Sequence, residues 1–468
     1  MIGSGMYFVA VDAGSSYVKA AVFDLEACRI VETAKYASPE RLPDPDNRIF
    51  EMDAGRLFDI VKTSIDGFCG RYAKVEGILF STQMHGCVFT APGGARDIYI
   101  SWQDSRCLDM MPQSQGKPGT SYLDYLARIF PPEFMRSTGV GIKPALALCN
   151  LFTCVSRKDA RIAPGTELFT LGSYFITRLT GNNICHITNA APLGMVDISK
   201  GIWREDILLG AGLDKIRFPR ITRELKPCGT YRYNGADINV YPDIGDQQAS
   251  VLGSMARTGD MVANIATAGQ IIFVDDGFHS GDYEVRPYFE SGFNNVVSRM
   301  PAGRNFEVPI DFIQETGLKI FGVSLNKEDI WKRVRDELTL EDTQGLDADI
   351  SFYELPHKLA EGKFLNINHY NFTLRNVFSS LVRDMARVYA RYIQVLREGR
   401  SFTGRLIFCG GMARNNPVLL HAVEAATGLK GVLAGSRDEV YTGMLRLALI
   451  CAGLSKNLQE TEKRMETE

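Results

Sequence analysis

Apolar and polar positions along the chain alternate between two periods, and the changes of period mark out elements. Tyr7-Phe-Val-Ala-Val-Asp12 is a β-rich run, Ala13-Gly-Ser-Ser16 is turn chemistry, and Val18-Lys-Ala-Ala-Val-Phe-Asp24 is β-like again, which predicts a hairpin. A third strand is expected near residues 28–34. Asp53 stands where it can cap a helix whose apolar positions Leu57, Ile60, Val61, Ile65 and Phe68 recur at helical spacing, and residues 75–81 then read as a buried strand. The second half repeats this order. Residues 260–266 and 270–275 predict another hairpin around Thr267-Ala-Gly269. Leu374, Val377, Phe378, Leu381, Val382, Met385, Val388, Tyr389, Tyr392 and Val395 then trace one long helical face, and a strand follows at 405–409.

A unit repeated at this length suggests duplication into two similar lobes facing a cleft, with the boundary near residues 243–246. The division expected is an N-terminal domain over 1–244, a C-terminal domain over 245–455, and a polar tail at 456–468 that is solvated or frayed. A chain of 468 residues is long enough for two such cores. A formal charge of -3 argues against a nucleic-acid footprint or an anionic-membrane patch and leaves small molecules as the expected partners. Ten cysteines lie scattered without a CxxC pair or zinc-ligand spacing, so reduced thiols in a cytoplasm are expected. No export signal and no membrane-spanning stretch is read in the chain.

Candidate chemistry sits at the turns. Successive backbone N–H groups in a tight turn form a concave anion site, and hydroxyls add donors. Gly14, Ser15 and Ser16 with Lys19 in the first hairpin therefore suit phosphate, as do Thr267 and Gly269 in the second. A plain hairpin turn is the simpler account of either one alone. One in each lobe, facing each other, would suit a polyphosphate gripped from both sides. Cys409-Gly-Gly-Met-Ala-Arg-Asn-Asn416 runs from a strand through Gly410 and Gly411 toward a helix expected from about residue 417, which lets a nucleotide approach the backbone. It is neither a Walker A loop nor a GxGxxG fingerprint, and a turn is its simpler account.

Asp246, in Asp243-Ile-Gly-Asp-Gln-Gln-Ala-Ser250, follows a glycine and precedes a small-residue helix start. Alone it reads as a helix cap. Beside two phosphate turns it is the best-placed carboxylate to accept a proton from an attacking alcohol. Ser81-Thr-Gln-Met-His-Gly86 and Ser101-Trp-Gln-Asp-Ser-Arg106 bring Gln83, His85, Asp104, Arg106 and the flat face of Trp102, a mixture suited to a polyhydroxylated ligand. A buried, satisfied histidine and a core tryptophan are the plainer accounts of His85 and Trp102 taken singly.

Together these segments resemble the FGGY carbohydrate kinases, members of the actin, Hsp70 and sugar-kinase fold group. Asp12-Ala-Gly-Ser-Ser16 is similar to that family's Asp-x-Gly-Thr-Ser turn, Thr82-Gln-Met-His-Gly86 to its Gly-Gln-Met-His-Gly segment, and Trp102-Gln-Asp-Ser-Arg106 to its Trp-x-Asp-x-Arg. Leu179-Thr-Gly181 and Thr188-Asn-Ala-Ala191, Gly245-Asp246, and the loop from Gly410 to Asn415 have counterparts as well.

The resemblance implies an α/β fold of two actin-like, ribonuclease H-like domains with an ATP and sugar cleft between them. It makes Asp246 the catalytic base and Asp12, with Asp246, the Mg²⁺ residue. Gln83, Met84, His85, Trp102, Asp104 and Gln247 would bind the sugar. Gly14, Ser15, Ser16, Lys19, Thr267, Gly269, Gly410, Gly411 and Asn415 would bind ATP. The Met-His pair and Arg286-Pro-Tyr-Phe289 resemble the ketose branches, sedoheptulokinase first and xylulokinase next. This implies phosphoryl transfer to a terminal hydroxyl, giving sedoheptulose 7-phosphate or xylulose 5-phosphate. A homodimer is compatible with it, and a non-catalytic sugar-binding member of the fold is the alternative class. Ser15, Tyr17, Ala266, Ala268 and Met412 depart from the family pattern and bear on nucleotide contacts rather than on the reaction.

Overall fold

The computed structural model describes residues 5–90, 96–112, 119–400, 402, 404–436 and 438–466. In the first half, β1 (Tyr7–Ala13), β2 (Tyr17–Asp24) and β3 (Arg29–Ala37) form an antiparallel meander. Asp53 caps α1 (Ala54–Arg71) by accepting the Arg56 N–H, and the helix buries Leu57, Val61, Ile65 and Phe68. The chain then returns through β4 (Val75–Thr82), parallel to β1. β1 is buried along its whole length, as a strand covered on both faces must be, so Val9, Val11 and Ala13 join the core under α1 while Asp12 points to the opposite face.

The same sheet is completed by β5 (Gly229–Tyr233), β6 (Ala236–Val240) and the short β7 (Ile244–Gly245). β6 and β7 both run parallel to β4. α2 (Asp246–Gly253) follows without a loop. The second half repeats the order. β8 (Met261–Ile265) and β9 (Gly269–Asp275) form a hairpin, and β10 (Phe293–Met300) follows β9 in the sheet. α3 (Leu374–Arg397) buries Phe378, Leu381, Val382, Met385, Tyr389 and Tyr392, and β11 (Leu406–Cys409) lies parallel to β8, with β12 (Gly431–Leu433) outside it. The predicted echo of hairpin, helix and parallel strand is the observed topology of both halves.

Two compact units are present: Met1–Met255 with Val285–Phe293 and Asp438–Glu468, and Ala256–Glu284 with Asn294–Arg437. The first unit thus reaches past residue 244, where the sequence suggests a boundary, and takes in α2. The reason is packing. α2 lies against α4 (Glu439–Cys451) at backbone distance: a Cβ on Gly253 would stand 1.7 Å from the Glu439 carbonyl oxygen, and one on Gly443 2.0 Å from that of Ala249.

The expected polar tail forms α5 (Leu458–Glu466), while residues 467–468 lie outside the described residues. Its charge is used inward. The buried Arg446 of α4 donates to Thr461 Oγ1 at 2.9 Å, to the Leu458 carbonyl at 2.9 Å and to the Leu252 carbonyl at the end of α2 at 2.6 Å, with Glu462 3.5 Å away. None of the ten cysteines is in a disulfide. No described helix is long and apolar enough to cross a membrane.

Because α2 and α4 touch through glycine, Gly443→Ala is expected to lower stability by roughly 1–3 kcal/mol through overpacking. The urea midpoint of the variant against the parent protein measures it; an unchanged midpoint would contradict the close approach.

Candidate active site

Three parallel strands of the first unit end side by side. In register, Asp12 of β1 pairs with Ser81 of β4, and Ser81 pairs in turn with Ile244 of β7, so Asp12 and Asp246 emerge at the same carboxyl edge. Ligands of α/β folds collect at such edges, where loops leave the sheet and helix N-termini begin. Ser81 Oγ donates to Asp12 Oδ1 at 3.0 Å, and Lys19 stands opposite Asp12 on β2. Asp246 is the first residue of α2 rather than its cap, which is Gly245, and it accepts the Gln247 N–H at 2.8 Å.

Burial and charge act strongly on this pair. Burial, then the negative charge of Asp246, pushes the Asp12 carboxyl up to about 7, against the pull of Lys19 and the Ser81 hydrogen bond. Burial also pushes Asp246 up to about 6, opposed by the Gln247 N–H and by the positive charge of Arg286. A buried and a half-buried carboxylate at one sheet edge can accept a proton or share a cation.

Behind them stands a third carboxylate that is wholly internal. Asp243 accepts Thr170 Oγ1 at 2.7 Å, Asn189 Nδ2 at 2.8 Å and the His186 N–H at 3.0 Å, while burial pushes its pKa up to about 6. Asn189 also donates to Thr82 Oγ1 at 3.0 Å, and Thr188 Oγ1 accepts the Gly245 N–H at 3.2 Å. This network ties the ends of β4 and β7 to the 186–190 segment. His186 is held neutral, its pKa lowered by burial to about 4.

Ser15, assigned to phosphate, meets Gln83 and Trp102, assigned to sugar, at the 13–16 turn. Gly14 N–H donates to the Tyr17 carbonyl at 3.0 Å, which closes the turn and leaves Ser16 exposed. Ser15 Oγ donates to Gln83 Oε1 at 3.0 Å and accepts Trp102 Nε1 at 2.9 Å. Trp102 is 41% exposed, so its ring is an open platform rather than core. Gln83 Nε2 is buried without a protein partner, a donor that a ligand oxygen would satisfy. Met84 is buried. His85 holds a left-handed φ of 70°, and its Nδ1 donates to the Pro192 carbonyl at 2.9 Å.

Asp104 stands apart from this group. It is buried and accepts four hydrogen bonds, from Phe50 N–H at 2.7 Å and from Arg106 N–H, Nε and Nη2 at 3.0, 2.9 and 2.6 Å. Arg106 Nη2 also reaches Glu51 at 2.8 Å. Both oxygens of Asp104 are therefore occupied in shaping the loop that presents Trp102.

In the second unit Thr267 is exposed in the turn after β8, and Gly411 and Asn415 are exposed after β11, the strand parallel to it. Gly269 is buried: a Cβ there would lie 2.7 Å from the Tyr389 hydroxyl, so packing explains this glycine. Gly410 has a φ of 89° and caps the short helix Gly411–Asn415, and the expected helix follows at Pro417–Thr427. In the sequence alone Ser81 and Asp243 carry no role, and Arg286 and Asn189 occur only as parts of familial segments. None has a local signal, because each acts through partners remote in sequence.

Comparison with known proteins fits this geometry. Over 276 residues the chain is 28% identical to the glycerol kinase of Cereibacter sphaeroides, covering 56% of this chain and 53% of that protein. Over 284 residues it is 24% identical to that of Thermococcus onnurineus, covering 58% and 54%. The matched part thus spans about half the length of these curated relatives. Among solved structures, the ligand-bound xylulose kinase from Lactobacillus acidophilus superposes with a TM-score of 0.83 at 17% identity, covering 98% of this chain and 92% of that one. The Plasmodium falciparum glycerol kinase with ADP does so with a TM-score of 0.78 at 14% identity, covering 99% and 93%. At such identities the structural likeness is one of fold. The family signature itself, that of the N-terminal domain of the FGGY family of carbohydrate kinases, matches residues 7–253, more than half of the chain, and this chain belongs to that family.

Proposed function

We propose that the protein transfers the γ-phosphoryl group of ATP to the terminal hydroxyl of a ketose, with sedoheptulose the first candidate and D-xylulose the second. The observation that carries this reading is the emergence of Asp12 and Asp246 at the carboxyl ends of β1 and β7, the two strands paired with β4. A carboxylate is the acceptor that an attacking alcohol needs, and Asp246, half-buried at the start of α2, is accessible to one. As the sugar oxygen bonds to the γ-phosphorus and the bond from phosphorus to the β–γ bridging oxygen breaks, the hydroxyl proton passes to Asp246 and ADP leaves. Gln83 Nε2, His85, Gln247 and the face of Trp102 are a mixed polar and apolar set of the kind a sugar takes. Of the groups assigned to the nucleotide, the first unit supplies Gly14, Ser15, Ser16 and Lys19.

Mg²⁺ suits the donors present. Among the described residues no group of three or more His, Cys, Asp or Glu forms a dedicated cage. A carboxylate pair whose remaining partners are phosphate oxygens and water is the usual manner of holding this ion. Asp12 and Asp246 are such a pair, and burial raises both toward neutrality. Bound there, the ion would neutralise phosphate charge.

The ketose reading rests on Met84-His85 and on Arg286-Pro-Tyr-Phe289. The names of the curated relatives favour glycerol as a second reading. Coupled ADP release over sedoheptulose, D-xylulose, L-ribulose, L-fuculose, L-rhamnulose, erythritol and glycerol separates them. Stimulation by ketoses is expected, and glycerol as the best substrate would overturn the ketose assignment. Asp246→Asn is expected to lower turnover by at least about 10²-fold with ATP affinity largely kept, since it removes the base while Asp12 remains to hold the ion; near-parent turnover would rule Asp246 out as base.

Asp12 yields a test that needs no substrate. Its folded pKa of about 7 lies above the ordinary value of 3.8, so the ionised carboxylate destabilises the fold fully above pH 7, and this cost fades as pH falls toward 4. In magnesium-free buffer Asp12→Asn is therefore expected to be more stable than the parent at pH 8, on the order of 4 kcal/mol, and nearly equal to it at pH 4. Denaturant midpoints at the two pH values decide it. Added Mg²⁺ should stabilise the parent and not the variant.

A further inference from the structure

The helix Gly303–Phe321 of the second unit buries one face and carries large apolar side chains on the other as well. On the inner face Phe306 and Ile310 join the core of that unit, and Gly317 lies so close to Leu325 that a Cβ on it would stand 2.7 Å from Leu325 Cδ1. At 3.6 residues per turn the outer stripe runs through Val308, Phe312, Glu315 and Lys319, with Asp311 and Leu318 beside it. A helix packed on one side ordinarily turns polar residues to water on the other, and one that is apolar all round is covered all round. Here Phe312 is 69% exposed and Leu318 58%; where the helix ends, Ile320 and Phe321 are each 71% exposed and Val323 50%.

Single exposed apolar side chains need no explanation, whereas a run of them along one helix does. Phe312 and Phe321 alone open roughly 200–350 Å² to solvent, at 150–250 Å² for a whole aromatic side chain, and their aliphatic neighbours bring the run to the order of 500 Å². That is the size at which a patch on one chain marks an interaction site, and with a polar rim it approaches the ~800 Å² per partner of a stable interface.

The charges on the same face select the partner. Along the helix the acidic Asp311 and Glu315 come first and the basic Lys319 follows, paired with Glu315 of its own turn. Lys327 approaches one oxygen of Asp311 at 2.5 Å, from the exposed start of the next helix. A second copy turned end for end about a two-fold axis at Glu315 sets its Lys319 against Asp311 and its Leu318 against Phe312, and the symmetry repeats both contacts. Each central Glu315 keeps its own Lys319, and the two helix dipoles run opposed, which is their favourable arrangement. A partner of one uniform charge, such as an anionic membrane, would be repelled by part of the same stripe.

We propose that this face is the contact between two copies of the chain, packed antiparallel through the Gly303–Phe321 helix. The pattern is self-complementary in charge and in apolar positions, as a two-fold contact requires. The inference does not depend on the kinase reading, and its failure would leave that reading intact.

Sedimentation velocity on the full chain tests it. At about 50 µM, above the micromolar limit of interfaces of this area, the parent is expected to sediment as a dimer of twice the 51.9 kDa chain mass. Phe312→Glu brings a charge into the contact from both sides and is expected to raise the dissociation constant at least about 100-fold, leaving mostly monomer with the far-UV circular dichroism of the parent. Asp311→Lys and Lys319→Asp, each alone, set like charges against each other and should weaken the dimer about tenfold. Asp311→Lys combined with Lys319→Asp should recover parent association, although it breaks the pairs with Lys327 and Glu315 inside one chain. A monomeric parent, a dimer untouched by Phe312→Glu, or a combined variant no tighter than the single ones would each overturn the proposal. A monomeric parent that floats with phosphatidylserine vesicles would overturn it in favour of a membrane.

Discussion

Two carboxylates that repel each other have to be held at one sheet edge, and much of the first unit is arranged around that constraint. Asp12 and Asp246 arrive on different strands, from opposite ends of a long stretch of chain, and meet because β1 and β7 both align with β4. Burial raises both, and the charge of Asp246 adds to the cost at Asp12. Neither side chain can relieve this by swinging into water without losing its partner: Asp12 is fixed by Ser81 and Asp246 by the first N–H of its own helix. The cost of charge is thus held in place at the sheet edge.

The stiffness comes from behind the edge. Asp243 is a buried carboxylate, yet its oxygens accept from two side chains and one backbone N–H, and so it joins the cap of the Leu171–Thr180 helix to the segment that supports Gly245. A carboxylate with so many donors is a structural post, whereas Asp246, with a backbone N–H and an open side, is chemically available. Two acidic residues three positions apart have thereby taken opposite roles. From the far end, α2 is held by α4 through glycine contacts and by Arg446, which also carries α5.

The two halves share a topology and differ at the strand ends. Both place a hairpin, a helix and a parallel strand in the same order. In the first the ends of the parallel strands carry carboxylates and a sugar-suited set, while in the second they carry Thr267, Gly411 and Asn415. Duplicated strands fix where side chains emerge, and the residues at their carboxyl ends are free to diverge because they pack against little of the core.

The sequence by itself determined the periodic elements, since a buried face at a spacing of two or near four is local information. The hairpins, α1 with its Asp53 cap and α3 with its apolar face all lie where the pattern puts them. It also picked out Asp12, Asp246, Gln83, His85 and Trp102, which stand in short polar segments at strand ends. Only the tertiary structure decided what depends on partners remote along the chain. Asp104 looked available for a ligand, but Arg106 and the Phe50 N–H fill its oxygens. The terminal segment looked solvated by composition, but a buried arginine draws its Glu462 inward and makes it a helix. Arg286 is brought beside Gln247 by a docked turn whose contacts span from Gly139 to Leu458. Periodicity is set by neighbours a few residues away, whereas the pairing of charges is set by which strands and turns come together, and that is known only once the chain has folded.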